Sequence, residues 1–554
     1  MIERNIHTII KEGENLTTEF KSDRKSLPDK ELVVAVVSLA NTKGGMLMLG
    51  IEDDGSVTGL HNNHLNVTGI PALIANRTNP SISVTVERVD INNAQIACIS
   101  VPKSRQLVST TDGLLVRRRM KLDNTPETVP FLPHEFMQRQ SSMGLVDPSA
   151  MVMENLEVSQ FDPLQRLRIR KAIKQYGGEQ SLLALTDDEL DGALGLHKEI
   201  NGIKRPTFAG VLLLGTETLL RDHVPACEVA FQVLRGTDVK VNEFYRKPLL
   251  ETFEEVELQF KAWIVEDELE VGLFRVPIPN YDRRAFREAF VNALVHRDYS
   301  SLGAVHIKLD NNGLSISNPG GFIEGVSLDN LLIVPPQSRN PLLADIIKRI
   351  GLAERTGRGI DRIYEGMLRY GRPEPDFSAS NSHMVILFMA NTTADRDFLK
   401  MVVEQEDKLG DMPIDSLIIL SRLREERRLS TTDLMGSVQK SETQVRAALE
   451  KLVEMGFLEP HGSGRGRTYT LSAAMYRKSG KKSEYIRQAG FDAIQQEQMV
   501  LNYIDKHGSI KRAEVMDLCH ITRDQAYKLL FRLRKRGSIT KTGTKKGSVY
   551  RRGR

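Results

Sequence analysis

Apolar residues recur at helical spacing through "PDKELVVAVVSLANTKGG", at Leu32, Val33, Val36, Val37 and Leu39. The stripe stops at Asn41 and the pair Gly44–Gly45, so a helix ending in a tight turn is predicted. "MLMLGIEDDGSVTGL" follows as an apolar run broken by Asp-Asp-Gly, which reads as a buried strand, a turn and a returning strand. "ISVTVERVDI" and "AQIACISVP" predict an antiparallel pair, and "FAGVLLLG" (Phe208–Gly215) a buried strand. "RNPLLADIIKRIGL" has the stripe of a helix.

These elements imply an α+β multidomain chain. Residues 1–135 form one α+β region, and 136–160 lose periodicity and read as a connector. Residues 161–395 again mix helices with strands, and 396–413 read as a charged helical hinge. Two segments of similar plan follow, 414–475 and 495–554, joined by a linker at 476–494. Each runs helix, turn, helix, helix and a Gly/Lys/Arg-rich hairpin, the order of a winged helix-turn-helix.

With 554 residues the chain is too long for one core. Hydrophobic residues make up 40% and charged residues 27%, as in a soluble globular protein. The longest apolar run is too short to span a bilayer, and no apolar leader opens the sequence, so no membrane partner is expected. Three scattered cysteines, Cys98, Cys227 and Cys519, suit neither a metal site nor a disulfide framework and fit a reducing cytoplasm. Net charge is only +4, but residues 501–554 hold fifteen Lys/Arg against four Asp/Glu. That basic end points to nucleic acid.

In a winged helix the third helix enters the major groove and the wing touches phosphate. The first segment offers Ser441, Thr443, Gln444 and Arg446, with Arg465 and Arg467 in its wing. The second offers Arg523, Gln525, Tyr527 and Lys528, with Lys541, Lys545 and Lys546 in its wing. Glu442 and Glu450 count against the first, since phosphate repels them. Protein docking is the plainer use of either unit; paired units lean towards double-stranded DNA.

In "REAFVNALVHRDYS", Glu288 and Asn292 are four apart on a predicted helix, hence on one face. Such a carboxylate can polarise an attacking water, and such an amide can ligate Mg²⁺. The strand "GLSISN" ends at Asn318 before Pro319-Gly320-Gly321, and Gly357 and Gly359 precede another helix, where bare amides could cradle phosphate. A tight turn is the bland alternative for those glycines. In this order the three segments resemble the GHKL ATPases, and most closely the divergent GHKL-like domain similar to the C-terminal part of the RecG helicase. The resemblance implies an ATP and Mg²⁺ site at about 280–395, an α/β sandwich. One departure stands out: where that superfamily has an Asp for the adenine amino group, this chain has Asn318, which accepts the bond without the charge.

"ENLTTEFK", "ANTKGG" and "GIEDDG" together resemble the Schlafen-type AlbA-like domain over roughly the first 130 residues. Animal Schlafen nucleases hold divalent metal with three acids, which correspond to Glu14, Glu19 and Asp53. The resemblance therefore implies Mn²⁺ or Mg²⁺ there, with Lys21 beside a scissile phosphate of RNA or other single-stranded nucleic acid. Glu14 and Glu19 are five apart and converge only if the chain bends at Gly13. Surface charges and a polar turn are the plainer alternative, and Arg117, Arg118, Arg119 and Lys121 form the compact basic cluster of this region.

The whole order resembles bacterial and archaeal transcriptional regulators. It implies a DNA-binding, nucleotide-responsive regulator acting as a homo-oligomer. A metal-dependent nuclease in phage defence is the competing expectation, and an ATPase or nuclease activity stays open at this point.

Overall fold

The computed structural model describes residues 2–553 apart from 92–93, 122–124, 143, 272–273, 355–356, 463, 473–474, 476–492, 520–522 and 543–548. It forms two compact units, Met1–Pro148 and Ser149–Arg554.

The first unit is built on the four-stranded sheet Thr18–Lys21, Gly45–Leu49, Ala94–Val101 and Thr85–Ile91, in that spatial order. Only the first pair is parallel, with Glu19 opposite Leu47 and Phe20 opposite Met48. Alternation along the strands splits the apolar residues between two faces. Leu47 and Leu49 pack with the helix Asp29–Ala40, while Phe20 and Met48 pack with Ile6 on the other side. The predicted helix and the antiparallel pair are thus present. The expected returning strand after the Asp-Asp-Gly turn shrinks to a single bridge, Ile51 to Val57.

The motif residues between these elements hold the fold. Asn41 is buried; its side chain donates to the carbonyls of Val108 (2.7 Å) and Val116 (2.9 Å) and accepts from the Val108 N–H at 2.9 Å. Gly45 sits at φ 137°, and a Cβ there would lie 2.0 Å from the Thr17 carbonyl oxygen. Glycine alone combines that conformation with that approach.

In the second unit a five-stranded sheet runs Asp238–Tyr245, Val229–Arg235, Val305–Leu309, Gly313–Pro319, Met384–Ala390. The helices Arg283–Val295, Pro341–Arg349 and Gly359–Leu368 contribute buried residues to the core it shares. "FAGVLLLG" is a correction: Phe208–Leu214 is a buried helix, not a strand. A short apolar run suits either form, and the cap decides: the Thr207 hydroxyl accepts from the Gly210 N–H at 3.1 Å. The expected connector includes the end of the helix Pro133–Ser142 and two 3₁₀ turns. The expected hinge is the helix Arg396–Leu409, whose Phe398, Met401 and Val402 are buried.

Towards the C-terminus the same plan occurs twice. Helices Ile414–Glu426, Thr431–Val438 and Glu442–Glu454 carry a three-stranded sheet ordered Leu429–Ser430, Thr468–Leu471, Leu458–His461. Helices Ala493–His507, Arg512–Cys519 and Arg523–Lys535 carry Ile510–Lys511, Val549–Arg552, Ile539–Thr542 in the equivalent order. Their cores differ. Leu417, Leu449 and Tyr469 of the first belong to the same apolar cluster as the five-stranded sheet, whereas Val500, Leu529 and Tyr550 of the second belong to a separate one.

Candidate functional site

The helix Arg283–Val295 begins at Asp282, whose carboxylate accepts from the N–H groups of Arg284 (2.8 Å) and Ala285 (2.9 Å). Its face carries Glu288, Asn292 and, one residue past its end, His296 into a cavity of about 470 Å³. Asn318 and Gly321 line the same cavity from the strand end, and Gly357, Gly359 and Asp361 line it from the start of Gly359–Leu368. Thus five of the six nucleotide-site residues expected from sequence meet with Glu288 in one space. Gly320 does not line it. At φ 96° it makes the turn instead, and a Cβ there would lie 2.8 Å from the Cβ of Asp298.

The cavity fits an adenine nucleotide and its metal. Its volume lies within the ~300–1,000 Å³ usual for small-molecule sites. Ile316, Ile323, Phe377 and Leu387 give an apolar wall, and the 4% exposed Asn318 supplies a buried amide at its edge. A Cβ on Gly359 would come within 2.9 Å of a Glu288 carboxylate oxygen and 3.5 Å of the Asn292 amide nitrogen. The bare glycine therefore leaves room where phosphate and metal would approach those two side chains. Asn292 and Glu288 are the oxygen donors suited to Mg²⁺ and to a water beside it.

Burial raises the Glu288 carboxyl above its ordinary value, against the lowering pull of Arg287. Burial, with Arg339 and Lys348 adding to it, pulls His296 down to about 4, so the ring is neutral at pH 7. Asp361 is also raised by burial, with Arg358 and Lys440 opposing.

Sequence reasoning missed the braces. Arg339 donates to the Gly321 carbonyl at 2.9 Å, and Asn340 donates to the carbonyls of Val295 (2.8 Å) and Arg297 (2.9 Å). Arg297, 1% exposed, donates to the carbonyls of Asp298 (2.9 Å) and Ser301 (3.2 Å). These buried side chains explain "HRDYS" and "RNP" as frames for the cavity.

The N-terminal acids behave otherwise. Gly13, at φ 78°, makes the expected bend, and the Glu14 carboxylate accepts from the Phe20 N–H at 2.7 Å. Glu19 is 5% exposed and pairs with Lys21 at 2.6 Å and with Arg118. Arg118, itself 3% exposed, also donates to the Thr18 carbonyl at 3.1 Å, and the charge of Glu14 favours its protonated form against burial. Glu19 is therefore tied to a guanidinium, while Glu14 is tied to the backbone of the strand that follows it. Asp53 lies in an exposed turn, and among the described residues no three acidic, His or Cys side chains are grouped to hold a metal. Glu14, Glu19 and Asp53 are thus not brought together as a metal group among the described residues, and Lys21 is engaged by Glu19. The basic cluster is engaged too: Arg117 pairs with Glu135 and Arg119 with Glu127.

In the first C-terminal unit, Ser441 and Gln444 form the cap of their own helix, the Ser441 hydroxyl donating to the Gln444 amide oxygen at 2.8 Å. Arg446 pairs with Glu442, and Arg467 with Glu450 at 2.8 Å. Thr443 is exposed. In the second unit Gln525, Tyr527, Lys528 and Lys541 are exposed. The side chains of Arg465 and Arg523, and all of Lys545 and Lys546, lie outside the described residues.

Family models match three stretches. "Schlafen, AlbA_2" covers residues 14–126, "Putative ATP-dependent DNA helicase recG C-terminal" covers 303–388, and a domain of unknown function covers 135–230. No curated protein matches. Among solved structures, the DIP2311 protein from Corynebacterium diphtheriae shares the fold at TM-score 0.51 and 20% identity, over 99% of this chain and 98% of that one. The mRNA-binding domain of elongation factor SelB from E. coli, in complex with SECIS RNA, aligns over 25% of this chain and 98% of its own. Its TM-score of 0.14 and identity of 13% support no fold argument. No described helix is long and apolar enough to cross a membrane. The chain therefore carries a Schlafen AlbA_2 domain and a RecG C-terminal-type ATPase-like domain, a pairing that points to ATP binding in a nucleic-acid-related role.

Proposed function

We propose that the chain is a DNA-binding regulator whose central cavity takes ATP with Mg²⁺ and passes that state to the C-terminal units. The observation that carries the reading is the cavity itself, which gathers Glu288, Asn292, Asn318 and Gly359 on one space of nucleotide size. In it Asn318 would accept from the adenine amino group, Asn292 would hold Mg²⁺, and Glu288 would take a proton from the attacking water. A carboxyl raised by burial is the better proton acceptor for that step.

A contact out of the cavity supports the regulatory half. Leu331 and Leu332 line the cavity, and Gln439 accepts from the Leu332 N–H at 2.8 Å and donates to the Leu328 carbonyl at 2.7 Å. Gln439 stands at φ 56°, two residues before Ser441 caps the helix Glu442–Glu454. Its neighbour Lys440 pairs with Asp415 at 2.6 Å and acts on the cavity-lining Asp361. A ligand that moves this cavity wall thus moves the turn ahead of the candidate recognition helix.

Calorimetry with ATP·Mg²⁺ on the full chain tests the reading. Heat from wild type that is lost in Asn292→Ala is expected, and no heat from wild type would sink it. Gln439→Gly, which keeps the left-handed turn, is expected to preserve ATP binding while removing the effect of ATP on DNA affinity. A nucleotide effect that survives the substitution overturns the route.

A further inference from the structure

The helix Arg523–Lys535 buries Ala526, Leu529, Leu530 and Leu533 in the core of the second C-terminal unit. Its outer side is unusual for a helix that should read duplex DNA. Tyr527 is 56% exposed and Phe531, one turn on, 46% exposed. Their rings lie near-parallel, 25° apart, with centroids separated by 6.3 Å. The Arg534 guanidinium sits over the Phe531 ring at 5.7 Å. Both rings border an open groove of about 410 Å³ shared with Gln496, Gln525, Lys528 and Arg532.

Leaving two large rings in water costs hydrophobic free energy, so the patch points to a ligand. Its surroundings choose the ligand's class. From Arg523 to Arg536 the sequence has six basic residues, Arg523, Lys528, Arg532, Arg534, Lys535 and Arg536, against one acid, Asp524. Glu497 on the neighbouring helix pairs with Arg536 at 2.7 Å and with Arg532 at 3.9 Å, which still leaves cations in excess. An apolar protein surface would have to desolvate those charges without return, whereas a phosphate backbone neutralises them. A duplex meets the charges but not the rings, because its base faces are covered by their neighbours and only edges reach the grooves. Unpaired bases meet both: each offers a π-face to an aromatic ring and a phosphate to a neighbouring cation.

We infer that Tyr527 and Phe531 form a stacking platform for unpaired bases, so that this unit binds single-stranded nucleic acid rather than reading double-stranded DNA. The inference rests on the nucleic-acid half of the proposed function and narrows its ligand. It also reassigns Lys528 to the phosphates between stacked bases.

Fluorescence anisotropy on the full chain tests it, with labelled 20-nucleotide oligo(dT), oligo(U) and a duplex of equal length. Tighter binding of the single strands is expected, and the two single strands tell DNA from RNA through any preference for one sugar. Tyr527→Ala and Phe531→Ala should each weaken the single strands about 5- to 150-fold, the loss for one stacked base, with duplex affinity changing less than about twofold. Tyr527→Phe should retain binding, since it keeps the ring. Phe531→Trp should show fluorescence quenched by oligo(dT), a signature that a merely structural role would not produce. Circular dichroism should be unchanged in all of these, since both side chains are outside the core.

Duplex binding that exceeds single-strand binding, lost in Lys528→Ala but indifferent to the ring substitutions, would overturn the platform and leave the DNA reading standing. No binding of any probe would remove both. A concentration-dependent dimer that Phe531→Ala dissociates, with nucleic-acid affinity unaltered, would overturn the platform in favour of self-association.

Discussion

Glu19 and Glu288 are buried to the same extent, each 5% exposed, and both sit in motifs that suggest metal-assisted chemistry. Around Glu19 the fold supplies cations from its own chain: Lys21 on the same strand face and Arg118 from the distant strand Val116–Met120. Around Glu288 it supplies a cavity, a glycine that leaves space beside the carboxylate, and burial that raises its protonation range. A buried acid with a built-in counter-charge is a structural tie, while one facing a cavity is available to a ligand. Spacing along the chain distinguishes the two cases poorly, and the identity of the partner distinguishes them well.

The comparison can be broken most sharply at the chemistry. Glu288→Gln should lower ATP hydrolysis by about 10²–10⁴-fold, as for loss of a general base, with ATP binding retained. Phosphate release measures the first and calorimetry the second; hydrolysis at the wild-type rate would remove Glu288 from its role.

Stability provides the next contrast. Glu19→Ala strands Arg118 as a buried charge and should cost about 3–5 kcal/mol in the first unit. Asp53→Ala, in an exposed turn, should stay within about 0.5 kcal/mol. Hydrogen exchange at the amides of Thr18–Lys21 reads both. If Mn²⁺-dependent cleavage of tRNA appeared in wild type and vanished in Glu14→Ala with Glu19→Ala, the contrast between the two regions would collapse.

A smaller effect is expected at the departure from the GHKL pattern. On the proposed reading, Asn318→Asp supplies a charged acceptor for the adenine amino group, and charge roughly doubles such a bond. ATP affinity should rise by about fivefold, with no gain for GTP, in parallel calorimetric titrations.

The smallest is a pH effect. The folded state raises the Glu288 carboxyl, so it holds a proton that the unfolded chain has already released. Its contribution to stability is present below the unfolded value of about 4.3 and is lost as pH rises through the raised folded value. The melting temperature of Glu288→Gln should therefore gain on wild type as pH rises from about 4 towards neutrality. Parallel curves would show that burial of this carboxylate has no cost.

Much of this was legible in the residues. The stripe from Leu32 to Leu39 marks its helix because period and stop signals agree, whereas Glu288, Asn292, Asn318 and Gly359, each weak alone, pointed to one site through the resemblance of their order to the GHKL ATPases, and the four line one cavity. "FAGVLLLG" misled, since a seven-residue apolar run lacks a period and the Thr207 cap is a local cue easily outweighed. Arg118 was illegible for a different reason. In sequence it is one of three consecutive arginines in a basic cluster, and only its pairing across 99 residues makes it the partner of Glu19.

By itself the sequence determined strongly periodic elements such as the helix Asp29–Ala40 and the signals that stop them. Those are properties of neighbours along the chain. Only the tertiary structure decided which charges meet. Whether a carboxylate faces a metal, a guanidinium or an open cavity depends on strands and helices distant in sequence, and at the interior's low dielectric that choice outweighs anything the spacing encodes.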